Sequence, residues 1–209
     1  MIDNIKIYKN VFLGKNVTIE EFCVIGKPPR RKSNGDLPTI IGENAVIRSH
    51  TVIYSGNKIG NNFNTGHHAI IREENEIGNN VSIGTLSCIE HHIKIEDNVR
   101  IHSQAFIPEF TILKKKCWIG PNVVITNAKY PKGKNVKQNL KGAFIDENAK
   151  IGANATLLPG IKIGRNSLVG AGCVVTKNVP KNCVVIGNPA KITSSISSID
   201  VYKIDVKEI

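Results

Sequence analysis

Two pairs of histidines are the residues whose type and spacing could do chemistry. The segments TGHHAII and HHIKI each contain such a pair, at positions 67–68 and 91–92. An imidazole accepts and releases protons near neutral pH and is also a common metal ligand. Carboxylates that could orient these rings stand nearby, at Glu73 and Glu90. The sequence therefore contains residues for either a general base or a metal site. Which of the two they form depends on the secondary-structure elements that position them.

An aliphatic residue recurs every six positions along most of the chain. From residue 41 to residue 125, fourteen of the fifteen positions in this series are isoleucine or leucine, and Thr65 is the exception. The same series continues towards both ends at Ile7, Leu13, Ile19, Ile25, Ile145, Ile151, Leu157, Ile163, Val169 and Val175. A fixed short period of this kind indicates a stack of structural repeats.

Asparagine occupies the third residue after many of these aliphatic positions: Asn10, Asn16, Asn44, Asn62, Asn80, Asn98, Asn122, Asn148, Asn154, Asn166 and Asn178. Asparagine tolerates the left-handed backbone that a tight corner requires. Each six-residue unit therefore predicts a short strand and a turn, and three units make one triangular coil of about 18 residues. We expect an all-β solenoid of roughly eight coils, about 40 Å long, with β-branched side chains filling its interior.

This repeat resembles the left-handed parallel β-helix of the hexapeptide-repeat acyltransferases over residues 1–192. The resemblance supplies the handedness, because right-handed crossovers are the general rule between parallel strands. Two inserted loops interrupt the repeat, over residues 27–36 and 127–142, and a short tail follows over residues 193–209. We therefore expect one all-β domain, a left-handed parallel β-helix of hexapeptide repeats, that carries the two loops and the tail.

The two loops and the tail lead to different expectations. The first loop is basic and contains Pro28 and Pro29, so it is either a solvated connection or a clamp on a diphosphate. The second loop leaves a rigid scaffold, where extruded loops tend to carry function. The tail fits either a strand through Ile199 and Val201 or a helix whose pattern uses Ile199, Tyr202, Val206 and Ile209.

The register of the repeat sorts the histidines. Three of them occupy the asparagine slot and are predicted to form turns: His50, His68 and His92. His67 and His91 lie one position earlier, where a side chain projects from the corner. Thr65 places a hydroxyl in the aliphatic slot, which costs about 1.5–3 kcal/mol unless the hydroxyl finds a partner. Because such local violations mark functional sites, Thr65 and His67 are predicted to lie at the active corner.

The family resemblance adds a specific register for the catalytic base. Hexapeptide acyltransferases that act on nucleotide-linked amino sugars or lipid A precursors carry the base histidine four residues before an aliphatic position. His67 and His91 both match, four residues before Ile71 and Ile95, and the break at Thr65 favours His67 as the catalytic residue. We predict that the substrate is bound by Thr65, Arg72, Glu73, His91, Asn127 and Tyr130.

The segment TNAKYP favours an amine over a hydroxyl as the acceptor. It resembles the N-acetyltransferases of 3-amino-sugar nucleotides, whereas the sugar O-acetyltransferases of the maltose and galactoside type carry histidine where Tyr130 stands. A hydroxyl needs a base to become nucleophilic, while an amine only has to lose its ammonium proton. The missing histidine therefore indicates an amine acceptor.

Residues 151–192 resemble the half of the family that binds acetyl-CoA. Two Gly-Ala pairs lie 18 residues apart and are expected to stack on adjacent coils. Small residues there would let a pantetheine arm approach the backbone. The predicted cofactor-binding residues are Gly152, Ala153, Gly170, Ala171, Lys177, Pro189 and Lys191. The resemblance implies acetyl-CoA as co-substrate, with no metal required.

Composition narrows the choice of partners. No apolar run is long enough to cross a bilayer, and the start lacks the pattern of a signal peptide, so we expect a cytoplasmic protein without a membrane partner. The net charge is +11, yet aromatic residues make up only 5% and no nucleic-acid motif is present. Phosphate-bearing small molecules therefore suit this chain better than nucleic acid. The five cysteines form no CxxC pair and are expected to be core thiols.

These observations predict an acetyl-CoA-dependent N-acetyltransferase that acts on the amine of a nucleotide-linked amino sugar by direct attack on the thioester. The family resemblance also implies a homotrimer. One alternative is an O-acetyltransferase on a sugar or other small hydroxyl acceptor, and another is a non-catalytic β-helix scaffold or binding subunit. A β-helical zinc carbonic anhydrase is disfavoured, because 36 residues beyond His67 or His68 the chain has Ser103 or Gln104 rather than histidine.

Overall fold

The computed structural model describes residues 4–203, which form 27 short strands in three sheets whose strands are parallel except for the last one. Sheet A contains Lys6–Ile7, Val24–Lys27, Val52–Tyr54, Ile70–Ile71, Cys88–Ile89, Phe106–Ile107, Val124–Ile125, Thr156–Leu157 and Val174–Val175. Sheet B contains Val11–Leu13, Thr39–Ile41, Lys58–Ile59, Glu76–Ile77, Lys94–Ile95, Ile112–Leu113, Phe144–Ile145 and Lys162–Ile163. Sheet C contains Thr18–Ile19, Val46–Ile47, Asn64–Thr65, Ser82–Ile83, Arg100–Ile101, Trp118–Ile119, Lys150–Ile151, Leu168–Val169, Cys183–Gly187 and Ala190–Ser195.

The pairing register confirms the predicted coil. Ile71 lies opposite Ile53 on one side and Ile89 on the other, each 18 residues away. Between residues 41 and 175 the aliphatic positions point inward and are buried. The interior is therefore three stacks of branched side chains, one behind each sheet, as the six-residue period predicts.

The turns also follow the prediction. The asparagine slot has a left-handed backbone, with φ of 56° at Asn62 and 55° at Asn80. The three histidines in this slot have the same conformation, with φ of 63°, 56° and 56° at His50, His68 and His92. Asn62 donates a side-chain hydrogen bond to Asn80 over 2.8 Å, so amide groups also link successive coils on the outside.

Both inserted loops leave the prism at the same edge. The first joins the sheet A strand Val24–Lys27 to the sheet B strand Thr39–Ile41, and the second joins Val124–Ile125 to Phe144–Ile145. The second contains a short 3-10 helix, Val136–Asn139. Both connections therefore leave the core stacks uninterrupted.

The C-terminal part differs from both sequence-based alternatives. Cys183–Gly187 joins sheet C in parallel, and Ala190–Ser195 then pairs with it antiparallel, across the expected boundary at residue 193. Two 3-10 helices follow: Ile196–Ser198 and Asp200–Tyr202. Ile199 and Val201 thus lie in neither a strand nor an α-helix, while Val206 and Ile209 lie outside the described residues. None of the helices in residues 4–203 has the length and hydropathy of a membrane span.

Candidate active site

Two edges of the prism hold the predicted site residues. The His67 corner is the edge between sheets C and A, formed by residues 20–22, 48–50, 66–68, 84–86, 102–104, 120–122, 152–154 and 170–172. The loop corner is the edge between sheets A and B, formed by residues 54–56, 72–74, 90–92, 108–110, 126–142 and 158–160.

His67 is held by a serine and a glutamate from earlier turns of its corner. Its Nδ1 lies 2.9 Å from Ser49 Oγ and 3.8 Å from Glu20 Oε2. The ring is 53% exposed, and Nε2 makes no hydrogen bond within residues 4–203. The imidazole is therefore oriented through one nitrogen and presents the other to a ligand.

Glu20 is fixed as an ionised carboxylate. Its two oxygens accept hydrogen bonds from the main-chain N–H of Ser49 over 2.9 Å and from Arg48 Nη1 over 2.8 Å. The hydrogen bond from the main-chain N–H of Ser49 has the largest effect and, with a weaker contribution from Arg48, holds the pKa of Glu20 below its usual range against the opposing effect of burial. Glu20 therefore places a fixed negative charge 3.8 Å from His67 Nδ1.

A shallow cleft borders His67 on the side of sheet C. Its volume is about 210 Å³, and its lining includes Gly66, Thr85, His102 and Ser103. The His102 ring lies 4.7 Å from the Trp118 ring, and burial lowers the pKa of His102. The cleft thus places mostly small side chains next to the candidate base.

Thr65 does not face this cleft with its hydroxyl. Its side chain is buried, and Oγ1 accepts a hydrogen bond from the main-chain N–H of Arg48 over 2.9 Å. Oγ1 also lies 3.1 Å from Thr51 Oγ1, which is itself fully buried. The hydroxyl therefore has the partners that its burial requires. Thr65 also belongs to the lining of the cleft, and its role in substrate binding stays a prediction.

The two Gly-Ala pairs lie on the His67 corner, one coil apart. Gly152 N–H donates to Val169 O over 2.7 Å, and Gly172 N–H donates to Ala153 O over 2.8 Å. A Cβ on Gly152 would lie 2.5 Å from Ala171 N, so stacking of the coils alone requires glycine there. The nearer pair, Gly152 and Ala153, lies four coils from His67, which is about 19 Å at about 4.8 Å per coil. Gly152 is therefore required by the stacking of the coils, and the short side chains of the two alanines project little from this edge.

At the loop corner, His91 faces a carboxylate of the next coil. Its Nε2 lies 3.4 Å from Glu109 Oε1, and its ring is 28% exposed. Its Nδ1 is buried without a hydrogen-bond partner in the described part of the chain. Neither ring nitrogen of His91 is therefore directed at an open surface, in contrast to His67.

Arg72 and Glu73 pair with each other rather than standing free. Arg72 Nε and Nη2 bond the two oxygens of Glu73 over 2.9 and 3.0 Å. The guanidinium also lies 4.9 Å from the centre of the Tyr54 ring and 3.4 Å from Glu90 Oε2. The hydrogen bonds to Glu73 raise the pKa of Arg72 despite partial burial. These residues form a rigid charged surface at the loop corner.

Asn127 and Tyr130 lie where the second loop leaves this corner. Asn127 Nδ2 donates to Glu109 Oε2, and Asn127 O accepts from Lys141 N–H over 2.9 Å, which closes the neck of the loop. Tyr130 is 70% exposed and lines a pocket of about 430 Å³. Lysine side chains are prominent in its lining: Lys129, Lys134 and Lys141. The pocket therefore suits an anionic ligand.

The remaining predicted cofactor residues are separated from the Gly-Ala pairs. Lys177 follows the last strand of sheet A, Val174–Val175, and so belongs to the edge that carries the loops. Pro189 lies in the turn between the two C-terminal strands, and Lys191 pairs with Ile186 next to that turn. On one chain, the predicted residues thus occupy two edges and the C-terminal hairpin.

Sequence reasoning missed Glu20, Ser49 and Glu109. Ser49 precedes His67 by 18 residues, and Glu109 follows His91 by 18 residues, so counting one coil would have found both. Glu20 lies 29 residues before Ser49 because the first loop intervenes. The carboxylate next to His67 therefore comes from neither Glu73 nor Glu90, the candidates closest in sequence.

Comparison with known proteins agrees with the repeat. The bacterial transferase hexapeptide model matches residues 76–109 and 142–177. A galactoside O-acetyltransferase of Lactococcus lactis is 40% identical over 85 residues, which are 39% of this chain and 41% of that protein. A 2,3,4,5-tetrahydropyridine-2,6-dicarboxylate N-acetyltransferase of Clostridium perfringens is 51% identical over 53 residues, which are 25% of this chain and 22% of that protein. The chain thus spans less than half the length of either relative.

The fold extends further than these local matches. The crystal structure of LpxA, a UDP-N-acetylglucosamine acyltransferase from Bacteroides fragilis, aligns with all of this chain and 78% of its own, with a TM-score of 0.54 and 17% identity. At that identity the likeness concerns the fold alone. The chain carries hexapeptide repeats that match the family model over residues 76–109 and 142–177, and its fold is the left-handed parallel β-helix.

Proposed function

We propose that this protein is an acetyl-CoA-dependent N-acetyltransferase whose acceptor is the amine of a nucleotide-linked amino sugar. The observation that carries the proposal is the geometry of His67, which Ser49 and Glu20 hold through Nδ1 while Nε2 stays open. The segment TNAKYP and the absence of histidine at Tyr130 support an amine rather than a hydroxyl. The lysine-lined pocket of the second loop supports a phosphate-bearing ligand.

In the proposed reaction His67 Nε2 takes the proton that the substrate ammonium must lose. The free amine then attacks the thioester carbonyl carbon, and the C–S bond breaks as CoA thiolate leaves. We propose that the main-chain N–H of Thr85, one coil further along the corner, stabilises the oxyanion. The imidazolium returns its proton to the thiolate, and the attacking nitrogen releases its second proton to solvent as the tetrahedral intermediate collapses. The reaction therefore yields CoA thiol, an N-acetyl product and one proton. Glu20 stabilises the imidazolium as a neighbouring negative charge.

The acetyl-CoA arm is proposed to lie along the His67 corner. Short side chains leave room for the arm along this edge, from the last coils to the cleft. They belong to the alanines of the two Gly-Ala pairs and to Ser103. Acetyl-CoA would then approach His67 from the C-terminal coils, with its phosphates near basic groups such as Lys177 and Lys191.

We further propose a homotrimer in which neighbouring chains complete the site. The outer face of sheet A lies between the two corners and exposes apolar side chains, including Ile70, Phe106 and Val124 at 40, 37 and 39%. Packing these faces around a three-fold axis would bring the His67 corner of one chain to the loop corner of the next. One chain alone keeps the two corners on opposite edges of sheet A. Light scattering in solution tests the trimer directly.

A panel of nucleotide amino sugars and matched hydroxyl sugars tests the reaction. Thiol release from acetyl-CoA is followed with each acceptor, and mass spectrometry and NMR identify the acetylated atom. The proposal expects N-acetylation of an amino sugar nucleotide. O-acetylation of a hydroxyl acceptor would favour the second candidate, a sugar O-acetyltransferase, which the local similarity to the galactoside enzyme supports. If acetyl-CoA neither reacts nor raises the melting temperature, the protein is a non-catalytic scaffold.

A further inference from the structure

The loop corner gathers one histidine and two glutamates from successive turns. Glu90 and His91 come from one turn, and Glu109 comes from the next. One donor atom of each side chain lies within 4.8 Å of the other two. The side chains are only 20, 28 and 22% exposed, so they form a half-buried cluster. Within residues 4–203 no other group of three such side chains is found at this spacing.

We propose that Glu90, His91 and Glu109 bind a divalent transition metal ion. An imidazole nitrogen with two carboxylate oxygens is a ligand set that Zn²⁺ and Mn²⁺ accept. His91 Nε2 and Glu109 Oε1 lie 3.4 Å apart. Two ligands at about 2.1 Å from a tetrahedral ion are separated by about that distance. Three protein ligands leave a further position for water or a small ligand.

The local charge also favours a cation. Arg72 is the cation next to the cluster, but its bidentate bonds go to Glu73 and only Nη1 approaches Glu90, over 3.4 Å. On the other side, Glu109 faces the neutral amide of Asn127. Glu90 and Glu109 therefore carry more negative charge than Arg72 neutralises, and a bound ion would supply the missing positive charge.

Both carboxylates are oriented by a second layer of hydrogen bonds. Asn127 Nδ2 bonds Glu109 Oε2, which leaves Oε1 towards His91. Arg72 bonds Glu90 Oε2 over 3.4 Å, and the Cys88 thiol donates to Glu90 Oε1 over 3.8 Å. Such outer partners hold ligands in place at metal sites and influence affinity. The proposed proton transfer at His67 does not involve this ion, so the site goes beyond the proposed function.

Titration of the full chain with Zn²⁺ and Mn²⁺ tests this proposal. Protein stripped with EDTA is studied by isothermal titration calorimetry, and Co²⁺ is added separately to record visible absorption. We expect one ion per chain and d–d bands of a low-coordinate Co²⁺ site. Asn127→Ala should weaken binding about 10- to 100-fold. Glu109→Gln, which is isosteric, should abolish binding, with circular dichroism checking the fold.

Glu74 provides the matched control. Its carboxylate lies 3.9 Å from His92 on the same corner, so it forms a similar pair, but within residues 4–203 no second carboxylate completes a group of three. Glu74→Gln should leave binding unchanged. Absence of binding by the natural chain, equal affinity in Glu109→Gln, or equal loss in Glu74→Gln would each overturn the site. If Glu109→Gln does not fold, Glu90→Gln replaces it with the same expected loss.

Discussion

The His67 corner and the loop corner hold two histidines in the same position of the repeat, yet their surroundings differ. His67 is 53% exposed and bonds Ser49 through Nδ1, with Nε2 open. His91 is 28% exposed, with Nε2 against Glu109 and Nδ1 buried. The position within the repeat therefore orients each ring outward, but the residues one coil away decide which nitrogen remains available. A base needs an accessible nitrogen, whereas a metal ligand needs neighbouring donors.

The His67→Ala variant has the largest expected effect and tests whether His67, rather than His91, is the base. We expect acetyl transfer to fall about 10²- to 10⁴-fold, because the ammonium proton loses its acceptor. Steady-state kcat/KM with acetyl-CoA and the best acceptor measures this effect.

His68→Asn is the matched control for His67→Ala. His68 stacks on His50 at 4.4 Å and has φ of 56°, a conformation that asparagine adopts elsewhere on this prism. The rate of acetyl transfer by the His68→Asn variant should stay within about twofold of that of the natural chain, since no proton acceptor is lost. If His67→Ala retains most of the turnover while His91→Gln loses it, the roles of the two corners are reversed.

The Thr65→Val variant tests whether the Thr65 hydroxyl stabilises the core or binds substrate at the His67 corner. The change leaves the Arg48 N–H without its acceptor, while the Thr51 hydroxyl loses Thr65 but keeps its bond to Gly66 O. The free energy of unfolding should therefore fall by about 1–3 kcal/mol. Denaturant unfolding measures the loss, and Thr65→Ser, which keeps the hydroxyl, should retain most of the stability. An increase in KM without loss of stability would instead support Thr65 as a substrate-binding residue.

Glu20→Gln should have a smaller effect that depends on pH. Because the pKa of Glu20 is lowered in the folded chain, its ionised form contributes stability that is fully present above the ordinary pKa of glutamate. That contribution disappears as the pH falls through the lowered pKa. The difference in melting temperature between the natural chain and Glu20→Gln should therefore be largest near neutrality and vanish in acid. Glu21→Gln controls for net charge, and a difference independent of pH would contradict this account.

Arg72→Lys addresses the loop corner and has the smallest expected effect. Lysine cannot reproduce the two parallel bonds to Glu73 or the contact with the Tyr54 ring. The pair is partly exposed, so thermal unfolding should show a loss of about 1 kcal/mol or less. A larger loss would mean that the loop corner is more important to stability than its exposure suggests.

The fold was predictable from the sequence to a large extent, because each repeat carries its own signals. Isoleucine at Ile71 and Ile89 marks the inward position, and asparagine at Asn62 and Asn80 marks the left-handed turn. The C-terminal hairpin was not predictable in this way, since it lies beyond the last regular repeat. Its strand Ala190–Ser195 forms by pairing with Cys183–Gly187, which no local period indicates.

The candidate site was predictable only in part. The repeat identified His67 and the unusual Thr65, but the sequence did not indicate that Thr65 bonds Thr51 inside the core. Nor did it bring Glu20 to His67, because the first loop lies between their coils. Contacts between side chains on different coils depend on where each insertion leaves the prism.

The sequence by itself determined the six-residue strand and turn, the inward stacks and the outward position of both histidines, since these follow from local periodicity. Only the tertiary structure decided that both loops share one edge, that Glu20 and Ser49 hold His67, and that Glu109 faces His91. The physical reason is that stacking makes neighbours of residues one coil apart, and the environment of each imidazole is set by those neighbours.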